Sequence, residues 1–464
     1  MVNYKKKKVL VMGLGLHGGA LAVVAWLLKQ GAQVTITDTK DANLLQNTLA
    51  KIKKLPGSQS IKYTLGGHEA SDFVDQDLVI QNPGVPQNSS FLKLARKNKI
   101  SITNEAVLFF QNFTSPIIAV TGTRGKSTTA TLLEDIVKQE YKHSVLAGNI
   151  AKTAMMTVVD KLPKNSWPVL ELSSWQLEGL DQYRTSPHVA VVTNIMIDHL
   201  NRYRSFNAYK QAKFAICKYQ KASDLVVLNA DNIHTLSFAK KVKSKVYFFS
   251  LKKKVKGAYL EDDNIYFFDG QKNELVMSVD KIKVPGEHNL ANILAAVCTA
   301  KVLSISNIKI AKAVNNFRGI EYRLQLVKQT RGLKVYNDSA STTPDAAIAA
   351  IRALPKEKIV LLAGGVDKML EYPELAQVIK KQVEAVVLLE GNASEKLLKE
   401  LKKVSYPSNK IHSAISSLPK AWAITKLEAK KNKATVILFS PAAASFNMFV
   451  NEFDRARQFN NLVK

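Results

Sequence analysis

Residues 118–129, with the sequence IAVTGTRGKSTT, constrain the fold of this chain more than any other segment. An apolar run typical of a buried β-strand leads into a turn bracketed by two glycines, and the turn leads directly into a lysine. Backbone N–H groups of such a turn and the N-terminus of the following helix bind phosphate oxygens, the lysine reaches the β- and γ-phosphates, and a hydroxyl binds Mg²⁺. The turn is shorter than the common G-x-x-x-x-G-K-[ST] loop, because position 120 is valine. The segment predicts a triphosphate site formed by Gly122, Thr123, Gly125, Lys126, Ser127 and Thr128.

Length and composition indicate a protein of several domains. A chain of 464 residues exceeds the size of one ordinary core and predicts about three domains. Hydrophobic residues make up 46% and charged residues 22%, which is typical of a soluble globular protein. Cys217 and Cys298 lie far apart and outside any metal-binding spacing, so we expect reduced, buried thiols in a cytoplasmic protein. The longest apolar run, residues 20–28, is too short for a membrane span. Glycines also interrupt the apolar region near the N-terminus, whereas a secretion signal needs an uninterrupted one.

Lysines are spread along the chain rather than concentrated in one motif. The formal net charge is +28, from 66 Lys and Arg against 38 Asp and Glu. Such a charge suggests nucleic acid as a partner, but the basic groups at residues 5–8, 252–254 and 430–431 carry no zinc-finger spacing or aromatic RNA-binding motif. We therefore expect no nucleic-acid partner and a solvated surface that steers anionic small molecules. A nucleic-acid-binding NTPase is the less favoured alternative, which retention on DNA or RNA would test.

Alternating strand and helix patterns divide the chain into three α/β units. The first, residues 1–113, opens with strand, helix and strand patterns over residues 6–38, as a doubly wound domain does. The second, residues 114–319, alternates in the same way until about Lys245, where short alternating segments predict a small antiparallel insertion. The third, residues 320–464, repeats the strand and helix alternation. Ligands bind at the carboxyl ends of the strands in such sheets, so we expect the sites there and in clefts between domains.

The first unit contains a glycine pattern that fits more than one ligand. Gly13, Gly15 and Gly18 form G-x-G-x-x-G between a predicted strand and helix, and Asp38 ends the next strand. This pattern is typical of dinucleotide sites, because the glycines let a pyrophosphate approach a helix N-terminus closely. NAD, FAD and UDP-sugars all carry a pyrophosphate, so an NAD-dependent oxidoreductase stays an alternative that binding of UDP but not NAD would exclude. His17, inside the turn, is favoured as a surface or capping residue.

Polar residues follow two predicted strands of the second unit. Glu171 comes just after one strand, and Asn194, Asp198 and His199 come just after another. Carboxyl ends of parallel strands meet at one edge of a sheet, so we expect these side chains beside the phosphate loop. Each residue alone is typical of a cap or a turn. Together, a carboxylate and an imidazole beside a triphosphate are suitable Mg²⁺ ligands.

Seven motifs in chain order resemble those of the Mur ligase family: TGTRGKSTT, ELSSWQLE, NIMIDHLNRY, GEHNLANILAA, NDSAST, LLAGGVDK and SPAAAS. The resemblance covers nearly the whole chain and is strongest to the members that add glutamate to UDP-N-acetylmuramoyl-L-alanine (UDP-MurNAc-L-Ala) in peptidoglycan precursor synthesis. It implies an N-terminal Rossmann-like domain that binds UDP rather than NAD, a central P-loop ATPase-like domain with a small antiparallel insertion, and a C-terminal Rossmann-like domain that binds glutamate. It also implies a cytoplasmic monomer that uses ATP, Mg²⁺ and CO₂ and has no membrane partner.

The resemblance further implies a reaction and a set of site residues. The carboxylate of the UDP substrate would attack the γ-phosphorus of ATP, and the glutamate amine would attack the resulting acyl phosphate, after the third domain closes over ATP. Implied catalytic and metal-binding residues are Lys126, Ser127, Glu171, His199 and Lys213, the last carbamylated by CO₂. Further implied ATP contacts are Asn289, Asn292, Arg323 and Asp338. Implied UDP-MurNAc contacts are Gly15, Leu16, His17, Asp38 and Asn149, and implied glutamate contacts are Thr342, Lys368 and Ser445.

Two positions depart from the family pattern. Arg124 stands where glutamate-adding members usually have asparagine, which affects only contacts in the phosphate loop. Ala340 stands where they usually have a lysine that holds the glutamate carboxylate. Loss of such a charge-assisted contact weakens binding about tenfold or more unless another cation substitutes. We expect D-glutamate as the substrate. L-glutamate and another Mur-type ligation, as in folate-glutamate or meso-diaminopimelate relatives, are the alternatives.

Overall fold

Three β-sheets organise the chain. The structure is a computed structural model, and it describes residues 3–15, 18–150, 153–199, 202–330 and 332–464. Two of the expected UDP contacts, Leu16 and His17, lie outside these ranges. The mixed α/β architecture with mostly parallel sheets confirms the predicted fold class.

The first sheet is five-stranded and parallel throughout. Its elements are β1 (Lys8–Met12), α1 (Gly19–Lys29), β2 (Gln33–Asp38), α2 (Gln46–Ile52), β3 (Lys62–Leu65), β4 (Leu78–Gln81), α3 (Ser90–Lys97), β5 (Ser101–Thr103) and α4 (Glu105–Asn112). The strand order is β3-β2-β1-β4-β5. Alternate residues of β1 pack into separate cores, Val9 and Val11 into one and Leu10 and Met12 into the other. The sheet is therefore buried on both faces, as parallel sheets usually are.

The second sheet has nine strands and carries the phosphate loop. Its elements are β6 (Ile118–Thr121), α5 (Lys126–Val137), β7 (Leu146–Gly148), β8 (Val169–Glu171), α6 (Ser174–Gln182), β9 (Val189–Val192), α7 (Phe206–Lys218), β10 (Leu225–Asn229), α8 (Ile233–Ala239), β11 (Lys245–Ser250), β12 (Gly257–Glu261), β13 (Asn264–Phe268), β14 (Asn273–Ser278), α9 (Glu287–Val302) and α10 (Asn307–Asn316). The order is β14-β13-β12-β11-β10-β9-β6-β8-β7. Only β13 and β14 introduce antiparallel pairing. The antiparallel segment thus continues the main sheet, and β11, expected within it, pairs parallel to β10.

The third sheet has six strands. Its elements are β15 (Gln325–Thr330), β16 (Leu333–Asn337), α11 (Pro344–Arg352), β17 (Ile359–Gly364), α12 (Pro373–Gln382), β18 (Val383–Leu389), α13 (Asn392–Lys403), β19 (Ile411–Ile415), α14 (Leu418–Lys431), β20 (Val436–Phe439) and α15 (Glu452–Val463). The order is β15-β16-β20-β17-β18-β19, and only the β15–β16 pair is antiparallel. The fully buried β17 and β20 lie at its centre.

The chain divides into two compact units, residues 1–280 with 291–314 and residues 281–290 with 315–464. The first unit contains both the five-stranded and the nine-stranded sheet. Within it, the indole of Trp26 in α1 donates to Asp160 at 3.2 Å, and the Asn104 amide donates to the Gln176 carbonyl at 3.2 Å. The three sheets fall within the three predicted α/β units. The exact domain boundaries stay a prediction.

The cysteines and the apolar helices can be compared with what the composition predicts. Cys217 in α7 and Cys298 in α9 are fully buried, as expected. Burial raises the pKa of both thiols, that of Cys298 to about 12. Within the described ranges, no helix combines the length and the apolarity that crossing a bilayer requires.

Candidate active site

The predicted phosphate loop, residues 122–125, connects the buried strand β6 to helix α5. Gly122 has a φ of 153° and Gly125, the N-cap of α5, has a φ of 81°, conformations that side chains other than glycine rarely adopt. A Cβ at Gly122 would overlap the Thr193 hydroxyl, and a Cβ at Gly125 would overlap the Asn292 amide. The two glycines are therefore required both by their backbone conformation and by close neighbours.

Residues that follow β9 hold the phosphate loop in place. The Thr193 hydroxyl and the Asn194 amide donate to the Arg124 carbonyl at 2.6 and 3.1 Å, and the Arg124 N–H donates back to Asn194 Oδ1 at 2.9 Å. The Lys126 ammonium donates to the Thr123 carbonyl at 3.1 Å. Sequence reasoning noted Asn194 but missed Thr193. The signal available for Thr193 is a polar residue directly after the buried run VAVV.

Glu171 lies at the carboxyl end of β8, which pairs with β6. Its side chain is 1% exposed, and Oε1 accepts a hydrogen bond from the Asn149 amide at 3.1 Å. Among the described residues, none donates to Oε2, which is buried as well. A buried carboxylate oxygen without a donor is costly. This atom therefore suits a cation, and the contact brings the predicted Asn149 to the same place.

Lys213 in α7 brings an amine to the carboxyl end of β6. The residue is 2% exposed, its Nζ lies 3.4 Å from the Thr121 hydroxyl, and it stands over the Tyr209 ring at 5.0 Å. Burial lowers the pKa of Lys213 well below its usual value, and the positive charge of Lys126 lowers it further. The carboxylates of Asp198 and Glu171 act in the opposite direction. Lys213 therefore lies within electrostatic range of Lys126 and Glu171 and favours the neutral amine.

His199 completes the cluster. Its ring centre lies 5.6 Å from that of Trp175 and 5.8 Å from that of Tyr209, and Nε2 lies 3.9 Å from the Asp198 carboxylate. Burial lowers the pKa of His199; Asp198 raises it, and the cationic groups of Lys213, Lys126 and Arg124 lower it further. The lowered pKa favours the neutral imidazole, which has a lone pair for a metal.

Four predicted residues thus come together at one sheet edge, namely Lys126, Glu171, His199 and Lys213. Of the hydroxyl residues of the loop, Ser127 and Thr128 occupy the first turn of α5 and are partly exposed. Among the described residues, no three His, Cys, Asp or Glu side chains are grouped to hold a metal ion. A divalent ion here would therefore need ligands of other kinds, such as a hydroxyl, phosphate oxygens or a modified lysine.

The glycine turn of the first sheet uses Asp38 internally. The Asp38 carboxylate is 3% exposed, and one oxygen accepts the N–H groups of Leu14 and Gly15 at 2.8 and 3.1 Å. The other oxygen accepts the Lys40 N–H at 2.9 Å. Asp38 therefore holds the turn at Gly15. Its expected contact with the UDP moiety stays a prediction.

The predicted ATP contacts outside the loop lie in different settings. Asn292 is buried against Gly125, whereas the Asn289 amide donates to the Pro285 carbonyl at 2.7 Å. Arg323 is exposed. Asp338 is buried and accepts the Leu324 N–H at 2.9 Å and the Ser440 hydroxyl at 2.7 Å.

Burial raises the pKa of Asp338 to about 6, against its hydrogen bonds and the positive charge of Arg323. Asp338 thus anchors its own loop, and its ribose contact stays a prediction.

Two of the three predicted glutamate contacts touch each other. The Lys368 ammonium donates to the Thr342 hydroxyl at 2.9 Å. Ser445 is 2% exposed, and its hydroxyl has no partner among the residues that the structure describes. All three follow strands of the six-stranded sheet at its carboxyl edge, after β16, β17 and β20.

Three family models match the chain in order. They are the N-terminal domain of MurD-like Mur ligases at residues 7–104, the Mur ligase middle domain at residues 120–300 and the Mur ligase glutamate ligase domain at residues 322–443. Among solved structures, UDP-N-acetylmuramate-alanine ligase MurC from Thermotoga maritima has a TM-score of 0.63 at 21% identity and covers 98% of both chains. MurF from Acinetobacter baumannii has a TM-score of 0.60 at 17% identity and covers 92% of this chain and 99% of its own. At these identities, the likeness concerns the fold alone.

Closer relatives match over the full length. UDP-N-acetylmuramoylalanine--D-glutamate ligase from Roseiflexus sp. (strain RS-1) is 37% identical over 470 residues, covering 99% of this chain and 98% of that protein. The protein of the same name from Thermoanaerobacter pseudethanolicus (strain ATCC 33223 / 39E) is 37% identical over 463 residues, covering 100% and 99%. With such full-length relatives and all three domain models in order, the chain belongs to the Mur ligase family of ATP-dependent ligases.

Proposed function

We propose that this chain joins D-glutamate to UDP-MurNAc-L-Ala and converts ATP to ADP and phosphate, in the synthesis of peptidoglycan precursors. Two full-length relatives are named D-glutamate ligases, and the model that matches residues 322–443 is called a glutamate ligase domain. The structural observation that carries the proposal is the buried amine of Lys213 within electrostatic range of Lys126 and Glu171, beside a phosphate loop.

In this proposal, the loop between β6 and α5 binds the ATP phosphates. Its two glycines have positive φ, and the N-terminus of α5, which begins at Lys126, adds its partial positive charge. Lys126 stabilises the negative charge that develops on the transferring phosphoryl group. The remaining proposed ATP contacts are Gly122, Thr123, Gly125, Ser127, Thr128, Asn289, Asn292, Arg323 and Asp338.

The residues beside the loop fit a divalent cation. Glu171 Oε2 is buried without a donor among the described residues, and burial favours neutral His199. Ser127 would add a hydroxyl oxygen. Bound Mg²⁺ would supply charge neutralisation to the phosphoryl group.

Lys213 is proposed to become a carboxylate. Its neutral amine adds to CO₂, so that an N–C bond forms and a proton leaves to solvent, giving a negatively charged carbamate. The low pKa of the buried amine favours this step, because only the unprotonated form reacts. The carbamate would then compensate the positive charge of Lys126 and add oxygen ligands that the described side chains lack.

The two substrates are proposed to bind at the edges of the five-stranded and six-stranded sheets, with Asn149, just after β7 of the nine-stranded sheet, as a further contact to the UDP substrate. The UDP-MurNAc moiety would bind at Gly15, Leu16, His17, Asp38 and Asn149, and the glutamate at Thr342, Lys368 and Ser445. We further propose that the chain acts as a monomer in the cytoplasm, where ATP is supplied, with no nucleic-acid or membrane partner. The two buried cysteines accord with a reducing compartment.

The proposal is tested by phosphate release from ATP with UDP-MurNAc-L-Ala and Mg²⁺, with D- and L-glutamate in parallel. We expect release that requires all components and prefers D-glutamate. Preference for L-glutamate would contradict the stereochemistry alone, whereas release only with another amino acid, such as meso-diaminopimelate, would indicate a different Mur-type ligation. Binding of NAD but not UDP would contradict the whole proposal.

Replacement of the loop lysine supplies a direct check on the proposed ATP site. We expect Lys126→Ala to lower turnover about 10²-fold or more, as loss of one preorganised electrostatic group does. Lys142→Ala, which changes an exposed lysine beyond α5, is the control and should retain turnover. Near-normal turnover in Lys126→Ala would refute the assignment.

A further inference from the structure

Three loops at the carboxyl edge of the six-stranded sheet are bonded to one another. They follow the adjacent strands β16, β20 and β17. Val366 and Ala444 exchange two backbone hydrogen bonds of 2.9 Å each, and the Ala442 N–H donates to the Ser341 carbonyl at 2.9 Å. The three loops are therefore linked to one another, and they carry the three proposed glutamate contacts.

Arg455 in α15 forms hydrogen bonds with two of these loops. The residue is 0% exposed. Its Nε donates to the Ser339 hydroxyl at 3.0 Å, Nη2 to the Ser339 carbonyl at 2.9 Å, and Nη1 to the Ala443 carbonyl at 3.1 Å. The Ser339 hydroxyl in turn donates to the Glu452 carbonyl at 3.2 Å. Arg455 thus fixes the β16 loop, which carries Thr342, relative to the β20 loop, which carries Ser445.

The hydrogen-bond partners of the Arg455 guanidinium are neutral groups. Among the described residues, no acidic side chain lies within ion-pair distance of its guanidinium, which binds a hydroxyl and two carbonyl groups. Burial lowers the pKa of Arg455 to about 10, against the influence of Glu452, so the group stays charged at neutral pH. An unpaired buried charge is costly and is usually compensated by a partner or a ligand.

The buried hydroxyl of Ser445 gives an independent indication of a ligand beside these loops. It is 2% exposed and has no partner among the described residues. Glutamate carries two carboxylates, each of which accepts hydrogen bonds from hydroxyls and ammonium groups. The fixed positive charge of Arg455 near such a site would attract an anion, because the protein interior screens charge less than water does.

We infer that Arg455 is a positioning residue for the amino-acid substrate, and that its buried charge supplies positive potential where Ala340 provides none. This inference rests on the proposed function, because it takes Thr342, Lys368 and Ser445 as the glutamate contacts. It predicts that the charge and the hydrogen bonds of Arg455 act on glutamate binding selectively, and it assigns no contact between Arg455 and the substrate.

The test compares Arg455→Met with the wild type and with Arg457→Met, a matched control on the same helix whose arginine side chain is 60% exposed. The KM for D-glutamate, the KM for ATP and the unfolding temperature are measured for each. We expect Arg455→Met to raise the KM for glutamate about tenfold or more, with the KM for ATP unchanged within about twofold. Arg457→Met should change neither KM.

Two further variants separate the charge from a merely structural role. Arg455→Lys keeps the charge and loses the forked hydrogen bonds, so its KM for glutamate should lie between those of the wild type and Arg455→Met. Ala340→Lys added to Arg455→Met brings an ammonium to the β16 loop and should lower the raised KM at least threefold. If Arg455→Met does not fold, the comparison of Arg455→Lys with and without Ala340→Lys gives the same decision.

Equal KM values for Arg455→Lys and Arg455→Met, no rescue by Ala340→Lys, or equal increases in the KM for ATP and for glutamate would each overturn the inference. A wild-type chain that releases no phosphate with glutamate would refute the proposed function, and this inference with it. Wild-type activity together with an unchanged KM in Arg455→Met would refute the inference alone.

Discussion

Lys213 is a lysine in a place where a charged ammonium is disfavoured. It is 2% exposed, lies near a second lysine, and is expected to act only after its neutral amine has reacted with CO₂. We expect Lys213→Ala to be inactive and to regain activity with formate, acetate or propionate, because a small carboxylate fills the space and restores the negative charge. Turnover is measured with and without each acid. Lys210→Ala, on the same helix, is the control, and an inactive Lys213→Ala that no acid restores would contradict the carbamate.

Glu105, at the start of α4, is a buried carboxyl group that links stability to pH. Burial raises the pKa of Glu105 from its ordinary 4.5 to about 7, against the backbone N–H groups of Met156 and Met155. The folded chain therefore holds this proton up to about pH 7, whereas the unfolded chain releases it near 4.5. Folding stability falls as pH rises through that window.

We expect Glu105→Gln to raise the unfolding temperature at pH 8 and to leave it nearly unchanged at pH 4.5, because the amide is never charged. The stabilisation at pH 8 is at most about 3 kcal/mol, from a pKa difference of roughly 2.5. Thermal unfolding at the two pH values measures it, with Glu69→Gln, an exposed glutamate, as control. A stabilisation that does not depend on pH would contradict the assigned ionisation.

Individual site residues were predictable from the sequence to different degrees. Glu171 is the last residue of the buried strand β8, so its position at the sheet edge could be inferred from the pattern alone. Lys213 could be assigned only through the family resemblance, because its burial arises from packing of α7 against β6 and leaves no local signal. Asp38 and Asp338 were placed as ligand contacts, but their carboxylates accept hydrogen bonds from nearby backbone and hydroxyl groups. Sequence order does not show such competing donors.

The loop between β6 and α5 depends on glycine for space as well as for conformation. A Cβ at Gly125 would overlap the Asn292 amide, whereas a Cβ at Gly332, which also has positive φ, meets nothing within 4 Å. Both substitutions to alanine share the strain of the left-handed backbone, about 1–2 kcal/mol. The difference in turnover between the two variants therefore reports the effect of the overlap with Asn292.

We expect Gly125→Ala to lower turnover by roughly 10²-fold, since a displacement of about 1 Å in a phosphate loop has effects of that size. Gly332→Ala should retain turnover. Steady-state assays with saturating substrates measure both. Equal activity of the two variants would show that the loop tolerates the extra carbon.

Strand positions were predicted more securely than strand directions. The alternating pattern from Lys245 onwards indicated strands, but period-two patterning is the same for parallel and antiparallel pairing. β11 pairs parallel to both β10 and β12, and the antiparallel pairing begins only between β12 and β13. The two-residue connection at residues 262–263 makes β12 and β13 a hairpin. Such a short connection indicates antiparallel pairing and could have shown where the parallel pairing ends.

The sequence indicated three α/β units, and the structure contains three corresponding sheets. The local sequence pattern does not indicate that the five-stranded and nine-stranded sheets belong to one compact unit. The contacts that join them link residues far apart in the sequence, such as Trp26 and Asp160. Contacts over such separations leave no local pattern. The third sheet, in contrast, has cores formed only by residues between 324 and 463.

We therefore expect the fragment 320–464 to fold alone, because residues 281–290 and 315–319 of the same compact unit contribute nothing to these two cores. Its apolar residues cover both faces of the six-stranded sheet, and a unit with its own core folds independently. Chemical denaturation followed by circular dichroism should give one cooperative transition. A gradual loss of signal without a transition would show that this part of the chain needs the preceding residues.

The two buried cysteines can serve as probes of unfolding. Cys217 and Cys298 both belong to the unit that contains the nine-stranded sheet, and both are fully buried with raised pKa values. An alkylating reagent reacts with the thiolate, so it modifies these positions only after local or global unfolding has exposed them. The rate of alkylation thus reports how often the unit that contains the proposed ATP site unfolds. Slower alkylation with ATP present would measure how strongly the nucleotide suppresses this unfolding.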